Sequence, residues 1–347
     1  MNLGNGHYAF WKVLLLLGLP LFSILHASAL PSVGVVQVLL SPMVVKDTSI
    51  FLADPTIFFH GDTYYLYGTS GKDADLGFEV YVSKDLEKWE KPKGEHDGFA
   101  LKREDVYGDK GFWAPQVVEK NGRFYMAYTA NENIAIAEAA HPLGPFQQTE
   151  KAPLAAPVKQ IDPFIFKDDN GKYFLYHVRL TDGNRLFVAE LAHDFSTIKP
   201  ETLTQCIVAE EEWENTQNAG WPVAEGPTII KHKELYYFLY SANDFRNPDY
   251  AVGYATSKSP YGPWKKHIDN PILNGQILGS NGTGHGDLFI GKNRELYYVM
   301  HTHFNANTVG PRRTAVVELD FELVEGQNAC NLVYVKESFR FLKVNEK

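Results

Sequence analysis

The chain contains 347 residues with a formal net charge of −9 at pH 7, and 14% of its residues are aromatic. The excess of acidic residues argues against a nucleic-acid-binding protein, because such binding depends on neutralising phosphates with basic side chains. The length allows two average domains or one large all-β domain.

The first 29 residues resemble a signal peptide. Lys12 precedes an apolar run over residues 13–25, and Ala27-Ser28-Ala29 resembles the small-residue site at which signal peptides are cleaved. The run is short for a membrane span, and an uncleaved membrane anchor is the alternative. We therefore expect an exported protein, secreted or periplasmic, with no stable membrane insertion after cleavage and a single domain over residues 30–347.

An internal repeat dominates the rest of the chain. Five times, a short apolar segment leads through a polar turn into a segment with an aromatic pair, such as Tyr64-Tyr65 or Tyr236-Tyr237. Aromatic residues at this density favour β-strands, and Asn121-Gly122 at one of the turns is typical of a tight β-hairpin. The five leading segments are residues 53–58, 113–118, 161–166, 225–230 and 285–290.

Further strand-like segments follow in each unit. Third strands are predicted over residues 79–83, 134–137, 185–189, 251–255 and 314–318. Polar edge strands are predicted over residues 88–90, 144–147 and 262–265. Four antiparallel strands repeated five times predict an all-β fold, a five-bladed β-propeller, with a long β-sandwich as the alternative. Residues 320–347 are expected to finish the last blade or to close the ring.

The repeat also predicts which side chains meet. In a propeller the first strand of every blade lines the central channel, so the starts of the five first strands gather at one end of the axis. Three of these positions carry an acid, Asp54, Asp162 and Glu225, whereas blade two has Trp113 and blade five has His285. Glu225 lies one residue earlier in the repeat than the two Asp, and we expect its longer side chain to compensate. Each acid alone would be an ordinary turn residue, but three at matching positions indicate a shared function.

Three neighbouring carboxylates provide what glycoside hydrolysis requires. One protonated acid donates to the leaving oxygen, while one ionised carboxylate activates water or attacks the anomeric carbon. The third holds the protonation and orientation of the acid. Because aromatic faces suit the apolar faces of sugar rings, Phe112, Trp113 and Trp221 are candidate substrate contacts. Core packing is the alternative for each of them, and Trp113 is the strongest because it starts a first strand.

These segments resemble glycoside hydrolase family 43, whose members are inverting enzymes on a five-bladed propeller that act on arabinose- and xylose-containing glycans. On the repeat alignment the resemblance runs from about residue 50 to about residue 320. The motifs that carry it include Ala53-Asp54-Pro55, Phe112-Trp113-Ala114-Pro115, Ile161-Asp162-Pro163, Ala224-Glu225-Gly226-Pro227 and Gly282-Thr283-Gly284-His285-Gly286. The resemblance implies that Asp54 is the general base, Asp162 the modulator of the acid's pKa and Glu225 the general acid.

The resemblance also implies an ion near His285, which matches a fifth-blade His that family members place at the channel centre, often beside calcium. We therefore expect one calcium ion there and no organic cofactor. Arg312 either matches a fifth-blade Arg that contacts the sugar or a catalytic carboxylate, or is an exposed charge at the start of a strand. Cys206 and Cys330 are far apart in the sequence, and their pairing is left open.

The expected activity is that of an exported inverting glycosidase that removes terminal α-L-arabinofuranosyl or β-D-xylosyl residues from plant-type polysaccharides or oligosaccharides. Retaining furanosidases of the invertase type carry Arg-Asp-Pro and Glu-Cys-Pro segments, whereas this chain has Ile161-Asp162-Pro163 and Glu225-Gly226-Pro227. This difference favours the inverting family. The alternatives are an endo-1,5-α-L-arabinanase and a non-catalytic glycan-binding propeller. The sequence leaves the sugar, the linkage and the oligomeric state open.

Overall fold

The computed structural model describes residues 48–92, 97–325 and 329–345. The predicted signal peptide, residues 1–29, and the first residues of the predicted mature chain lie outside these ranges. Within them, no helix is long and apolar enough to span a bilayer.

Antiparallel sheets form a five-bladed β-propeller, as the repeat predicts. The first blade and its rim contain β1 (Leu52–His60), β2 (Thr63–Ser70), β3 (Gly77–Glu79), β4 (Tyr81–Ser83), β5 (Lys88–Glu90), β6 (Phe99–Lys102) and a 3-10 turn (Arg103–Asp105). Strands β1, β2, β4 and β5 form the blade, and β3 pairs with β6 in a separate sheet. The predicted third strand is interrupted at Val80, whose N–H donates to the Gly98 carbonyl instead of to a blade neighbour.

Blade 2 has only three strands, β7 (Trp113–Lys120), β8 (Arg123–Ala130) and β9 (Asn133–Ala139). Its predicted edge strand is reduced to one bridge between Glu138 and Gln147. Pro145 has no N–H to donate to a ladder, and the N–H of Phe146 donates to the Ala100 carbonyl at 2.8 Å. Residues 144–146 therefore cannot continue a strand beside β9.

The remaining blades follow the predicted pattern. Blade 3 contains β10 (Gln160–Lys167), β11 (Tyr173–Leu180), β12 (Asn184–Leu191) and β13 (Thr204–Ile207), with a 3-10 turn at Pro200–Thr202. Blade 4 contains β14 (Ala224–His232), β15 (Leu235–Ala242), β16 (Ala251–Ser257) and β17 (Lys265–Lys266), preceded by a 3-10 turn at Glu212–Glu214. After a short helix, α1 (Gly275–Leu278), blade 5 contains β18 (Gly284–Ile290), β19 (Leu296–Thr302), β20 (Arg313–Leu323), β21 (Cys330–Tyr334) and β22 (Arg340–Phe341).

The end of the chain closes the ring. Strand β23 (Lys343–Val344) pairs in parallel with β5 of blade 1. Next to it, the N–H of Ile50 donates to the Leu342 carbonyl at 3.0 Å, and the N–H of Thr314 donates to the Ile50 carbonyl at 2.9 Å. The prediction that the last residues finish blade 5 or close the ring is confirmed, since they do both.

Aromatic residues of the second strands fill the core within and between the blades. Tyr67, Tyr128 and Tyr176 are fully buried, and each hydroxyl donates to a backbone carbonyl at 2.5–2.9 Å. Burial of such rings is strongly stabilising once the hydroxyl has a partner. Cys206 and Cys330 lie in blades 3 and 5 and are both free thiols, so they do not form a disulfide.

Candidate active site

A β-bulge lies near the start of the first strand of every blade. The pairing register with the second strand shifts at this point in β1, β7, β10, β14 and β18. A bulge redirects side chains away from the regular pleat. The bulged residues have φ between 40° and 59° and are Asp54, Ala114, Asp162, Gly226 and His285.

The preceding blade holds four of these bulges in place. In each case the N–H of the bulged residue donates to a side chain on the second strand of that blade. The pairs are Asp54 with His301, Ala114 with Thr69, Asp162 with Thr129 and His285 with Ser241, at 2.8–3.2 Å. Such bonds explain how non-glycine residues persist at positive φ.

Blade 4 differs in a way that explains the position of Glu225. The second-strand residue that would support its bulge is Val178, which pairs with Ile161 and has no side-chain acceptor. The N–H of Gly226 instead donates to Oδ2 of Asp162 at 3.3 Å. Glycine tolerates the left-handed backbone without support, and the acid occupies the preceding position. The one-residue offset predicted from the repeat is therefore present.

Asp54 is surrounded by groups that stabilise its negative charge. Arg312 Nη1 donates to Oδ1 at 2.9 Å, and Thr69 Oγ1 donates to Oδ2 at 2.7 Å. His285 Nδ1 lies 3.4 Å from Oδ1, whereas His301 Nδ1 accepts the N–H of Asp54. Burial alone would raise the pKa of Asp54, but Arg312 and His285 lower it well below its usual value. Asp54 is therefore a carboxylate that can accept a proton.

Glu225 has mainly neutral partners. Tyr250 donates its hydroxyl to Oε1 at 2.8 Å, and Asn184 Nδ2 donates to Oε2 at 2.8 Å. The nearest ring nitrogen of His285 is 4.0 Å from Oε1. Burial, followed by the charge of Asp162, raises the pKa of Glu225 to about 7. Glu225 can therefore hold a proton near neutral pH and donate it.

His285 links all three acids. Its Nδ1 faces Asp54 and Glu225, and its Nε2 lies 3.8 Å from Oδ2 of Asp162. Burial opposes protonation of this ring, but the three carboxyl groups outweigh it and raise the pKa of His285. Burial also raises the pKa of Asp162, although His285 counteracts it. The raised pKa favours a positively charged ring between the three acids.

The three acids and His285 line one pocket of about 410 Å³, together with Trp113, Trp221, Arg312 and residues 244–246. This volume lies in the range of small-molecule sites. Trp221 is 48% exposed, and its Nε1 donates to Oδ1 of Asn184 at 2.9 Å. Asn184 thus connects an exposed aromatic wall to Glu225. Trp113 and Trp221 both lie where a ligand could contact them.

Phe112 is a correction to the sequence analysis. Its side chain is fully buried, where it stacks on Tyr128 with ring centroids 5.8 Å apart and packs edge-on against Phe78. Neighbouring residues in an extended segment point to opposite sides, so Phe112 faces the core while Trp113 faces the pocket. The expectation that Phe112 contacts substrate is wrong.

Sequence reasoning missed several residues of the pocket. Asn184 begins β12, and Tyr250 directly precedes β16, the third strand of blade 4. Phe245 lies under Arg312, whose guanidinium is 4.5 Å from the ring centroid. His301 supports Asp54 with a pKa lowered to about 3 by burial and Arg312. These positions carry no repeat signal, because they come from loops or differ from blade to blade.

The predicted calcium ion does not match a cage of side chains. Calcium prefers six to eight oxygen ligands, whereas both ring nitrogens of His285 face carboxyl groups. Among the described residues, no group of three or more His, Cys, Asp and Glu side chains is placed to hold a metal ion. Calcium at His285 stays a prediction, and no step below depends on it.

Proteins of similar sequence and similar fold are known. Residues 48–322 match the profile of the glycosyl hydrolases family 43. The chain is 31% identical over 285 residues to a xylosidase/arabinosidase of Butyrivibrio fibrisolvens, covering 74% of this chain and 51% of that protein. It is 24% identical to a β-D-galactofuranosidase of Aspergillus niger, covering 77% and 78% of the two chains.

A solved structure is also similar along nearly its whole length. It is described as an endo-1,4-β-xylanase from Bacteroides thetaiotaomicron, and it superposes with a TM-score of 0.78 at 40% identity. The match covers 87% of this chain and 99% of that chain. The sequence profile, the propeller and the pocket with its three acids agree, and the protein is a member of glycosyl hydrolases family 43.

Proposed function

We propose that this protein is an inverting, exo-acting glycosidase that releases terminal α-L-arabinofuranosyl or β-D-xylosyl residues from oligosaccharides or polysaccharides. Asp54 acts as the general base, Glu225 as the general acid and Asp162 as the modulator of the acid. The observation that carries the proposal is that two acids of one pocket have different partners, since a guanidinium group donates to Asp54 whereas a hydroxyl and an amide donate to Glu225. Asp54 has a pKa well below its usual value, and Glu225 has a pKa of about 7.

Opposite protonation is what general acid–base catalysis of glycoside hydrolysis needs. Asp54 deprotonates a water molecule that attacks the anomeric carbon, while Glu225 protonates the leaving oxygen on the other side of the sugar. Asp162 contributes through its charge, which raises the pKa of Glu225. Arg312 keeps Asp54 ionised until the water transfers its proton.

The choice of a pentose follows from the relatives. Their names include xylosidase/arabinosidase, β-D-galactofuranosidase and endo-1,4-β-xylanase, and the first of these combines both sugars that we propose. The balanced lining of the pocket also suits a neutral sugar, because Arg246 at its rim is already paired with Asp244.

Exo action is supported by the wall of the pocket formed by the segment before blade 4. Glu214 anchors this segment. It is fully buried and accepts hydrogen bonds from the N–H groups of Glu210 and Glu211, the Tyr240 hydroxyl and Lys266. The segment ends at Trp221, which lines the same pocket as Glu225. A fixed wall at this point favours a pocket for one terminal sugar over an open cleft.

The test combines a substrate panel with product analysis. Nitrophenyl arabinofuranoside, xyloside and galactoside are compared with linear arabinan and xylan, and released monosaccharide is measured separately from shortened chains. We expect monosaccharide release from a pentoside, with inversion of the first-formed anomer seen by NMR. Retention of configuration would contradict the mechanism, and early release of mixed oligosaccharides would identify an endo-acting enzyme such as an arabinanase. Absence of hydrolysis would favour a glycan-binding propeller.

Export also remains a proposal. It predicts that the mature protein begins near residue 30, after Ala27-Ser28-Ala29. N-terminal sequencing of protein recovered from the periplasm or medium tests it. An intact N-terminus in the membrane fraction would instead indicate an anchor.

A further inference from the structure

A second depression lies directly beside the catalytic pocket, and Trp113 lines both of them. It is larger, with a volume of about 700 Å³ compared with about 410 Å³ for the catalytic pocket. Its lining comes from the rims of blades 1 and 2 and from the segment before blade 3. The polar residues that line it are Asp75, Asp109, Lys110, Asn131, Glu132 and Lys159.

The wall that the two depressions share packs closely on the chain beside it. The ring of Trp113 packs on Gly111, where a Cβ atom would lie 3.0 Å from Cζ2 of the indole. Gly111 has a φ of 62°, and its N–H donates to Oδ1 of Asp75 at 2.7 Å. The indole therefore lies between the two depressions, and a glycan that extends from one to the other must pass it.

Part of the polar lining is held by hydrogen bonds and an ion pair, and part consists of exposed side chains that a ligand can contact. Oδ1 of Asn131 accepts the N–H of Lys110 at 3.2 Å, which fixes this loop, and Lys159 pairs with Glu132. The side chains of Asp109 and Lys110 are exposed and make no hydrogen bond or ion pair within the described parts of the chain. Acidic and basic groups are mixed, so the lining suits a neutral polyol better than a polyanion.

We propose that this depression, which we call the rim groove, binds the part of a neutral glycan that lies beyond the cleaved sugar. Trp113 supplies the stacking surface, and Lys110 donates to sugar hydroxyls. The inference rests on the proposed function: if the catalytic pocket holds one terminal sugar, the leaving glycan must cross the rim. The groove then makes oligosaccharides better substrates than nitrophenyl monosaccharides.

Kinetics of the Lys110→Ala variant test this assignment. Nitrophenyl pentoside is compared with the tetraose of the same sugar, either β-1,4-linked xylose or α-1,5-linked arabinose. We expect kcat/KM for the tetraose to fall roughly five- to tenfold, as for loss of one ordinary hydrogen bond at an exposed site, while kcat/KM for the nitrophenyl pentoside changes by less than about twofold. Lys258→Ala, which changes an exposed lysine of blade 4, should alter neither. An equal loss on both substrates, or no loss on the tetraose, would overturn the groove.

A binding experiment separates this proposal from the proposed function. Calorimetry with the Glu225→Gln variant measures the affinity for each tetraose and its monosaccharide, and Lys110→Ala is then added. Tighter binding of a tetraose that Lys110→Ala weakens supports the groove even if the wild type hydrolyses no glycoside. Hydrolysis by the wild type, with tetraose binding no tighter than monosaccharide binding, would reject the groove and leave the proposed function intact.

Discussion

Asp54 and Glu225 are equally buried, each with 8% of its surface exposed, yet their surroundings favour opposite protonation states. Asp54 contacts a guanidinium group and two imidazole rings, whereas the direct hydrogen bonds of Glu225 come from a tyrosine hydroxyl and an amide. Burial raises the pKa of both. The cations reverse this effect at Asp54, while at Glu225 the neighbouring Asp162 reinforces it.

The comparison shows that the groups in contact with each carboxyl, more than its depth of burial, determine which acid is the base and which is the proton donor. Each partner comes from a departure from the fivefold repeat. Arg312 and His301 belong to blade 5, while Tyr250 and Asn184 lie at the starts of third strands in blades 4 and 3. A symmetric ring of acids would titrate as a group. The differences between blades separate one base from one acid.

The largest expected effect comes from removing either proton-transfer group. Asp54→Asn and Glu225→Gln should each lower kcat by roughly 10²–10⁴-fold while the protein still folds, which a cooperative thermal unfolding transition checks. Glu225→Gln should lose less activity on a dinitrophenyl glycoside, because this leaving group needs no proton. Asp54→Asn should lose activity on every substrate.

Matched controls exist for both changes. Asp62→Asn lies in an exposed turn of blade 1 with a similar φ of 62°, and Glu234→Gln lies in an exposed turn of blade 4. Both should retain wild-type activity. Full activity in either catalytic variant would reject the assignment of the pair.

Arg312→Met should have the next largest effect, because it removes the cation nearest to Asp54. We expect kcat/KM to fall roughly 10- to 100-fold, as for loss of a buried charged hydrogen bond. The acidic limb of the pH profile should also move to higher pH, since the pKa of Asp54 rises without this charge. Arg123→Met, at an exposed ion pair with Glu138, serves as the control. An unchanged acidic limb would show that Arg312 does not act on the base.

Asp162→Asn tests the link between the modulator and the acid. Loss of this charge removes a cause of the raised pKa of Glu225, so the basic limb of kcat/KM should move to lower pH. At neutral pH we expect roughly a tenfold loss of activity, smaller than that of Arg312→Met. A basic limb that stays in place would mean that Asp162 acts only by holding the Gly226 backbone.

Glu214→Gln should affect stability while leaving the pH dependence of activity unchanged. Glu214 is a buried acid outside the pocket, and Lys266 Nζ donates to it at 2.6 Å. Breaking this pair should lower the free energy of unfolding by about 3 kcal/mol in urea titrations. Glu212→Gln, an exposed neighbour in the same turn, should change it little. A shifted pH profile would show that the wall segment tunes the acid.

The sequence could predict the fold and the three acids because both depend on the repeat. Equivalent positions in a propeller meet at the axis, so Asp54, Asp162 and Glu225 could be grouped without coordinates. The repeat could not reveal Asn184 or Tyr250, since nothing in a linear sequence tells which loop residue reaches a given carboxyl group. The prediction that Phe112 contacts substrate was wrong, because adjacent residues of an extended segment point to opposite sides and Trp113 is the one that faces the pocket. The third strand of blade 1 is broken because the N–H of Val80 donates to the carbonyl of Gly98, which lies in a loop outside this blade's sheet. The sequence alone does not show this contact.

The pH dependence of kcat/KM tests the central claim most directly, because in the free enzyme it reports the protonation of the two acids. Measured on a disaccharide of the pentose, whose leaving oxygen needs a proton, wild-type activity should fall as pH rises through about 7, the pKa of Glu225. The Glu225→Gln variant should show lower activity without this basic limb. Wild-type activity that stays constant to pH 9, or a basic limb that persists in Glu225→Gln, would contradict the account.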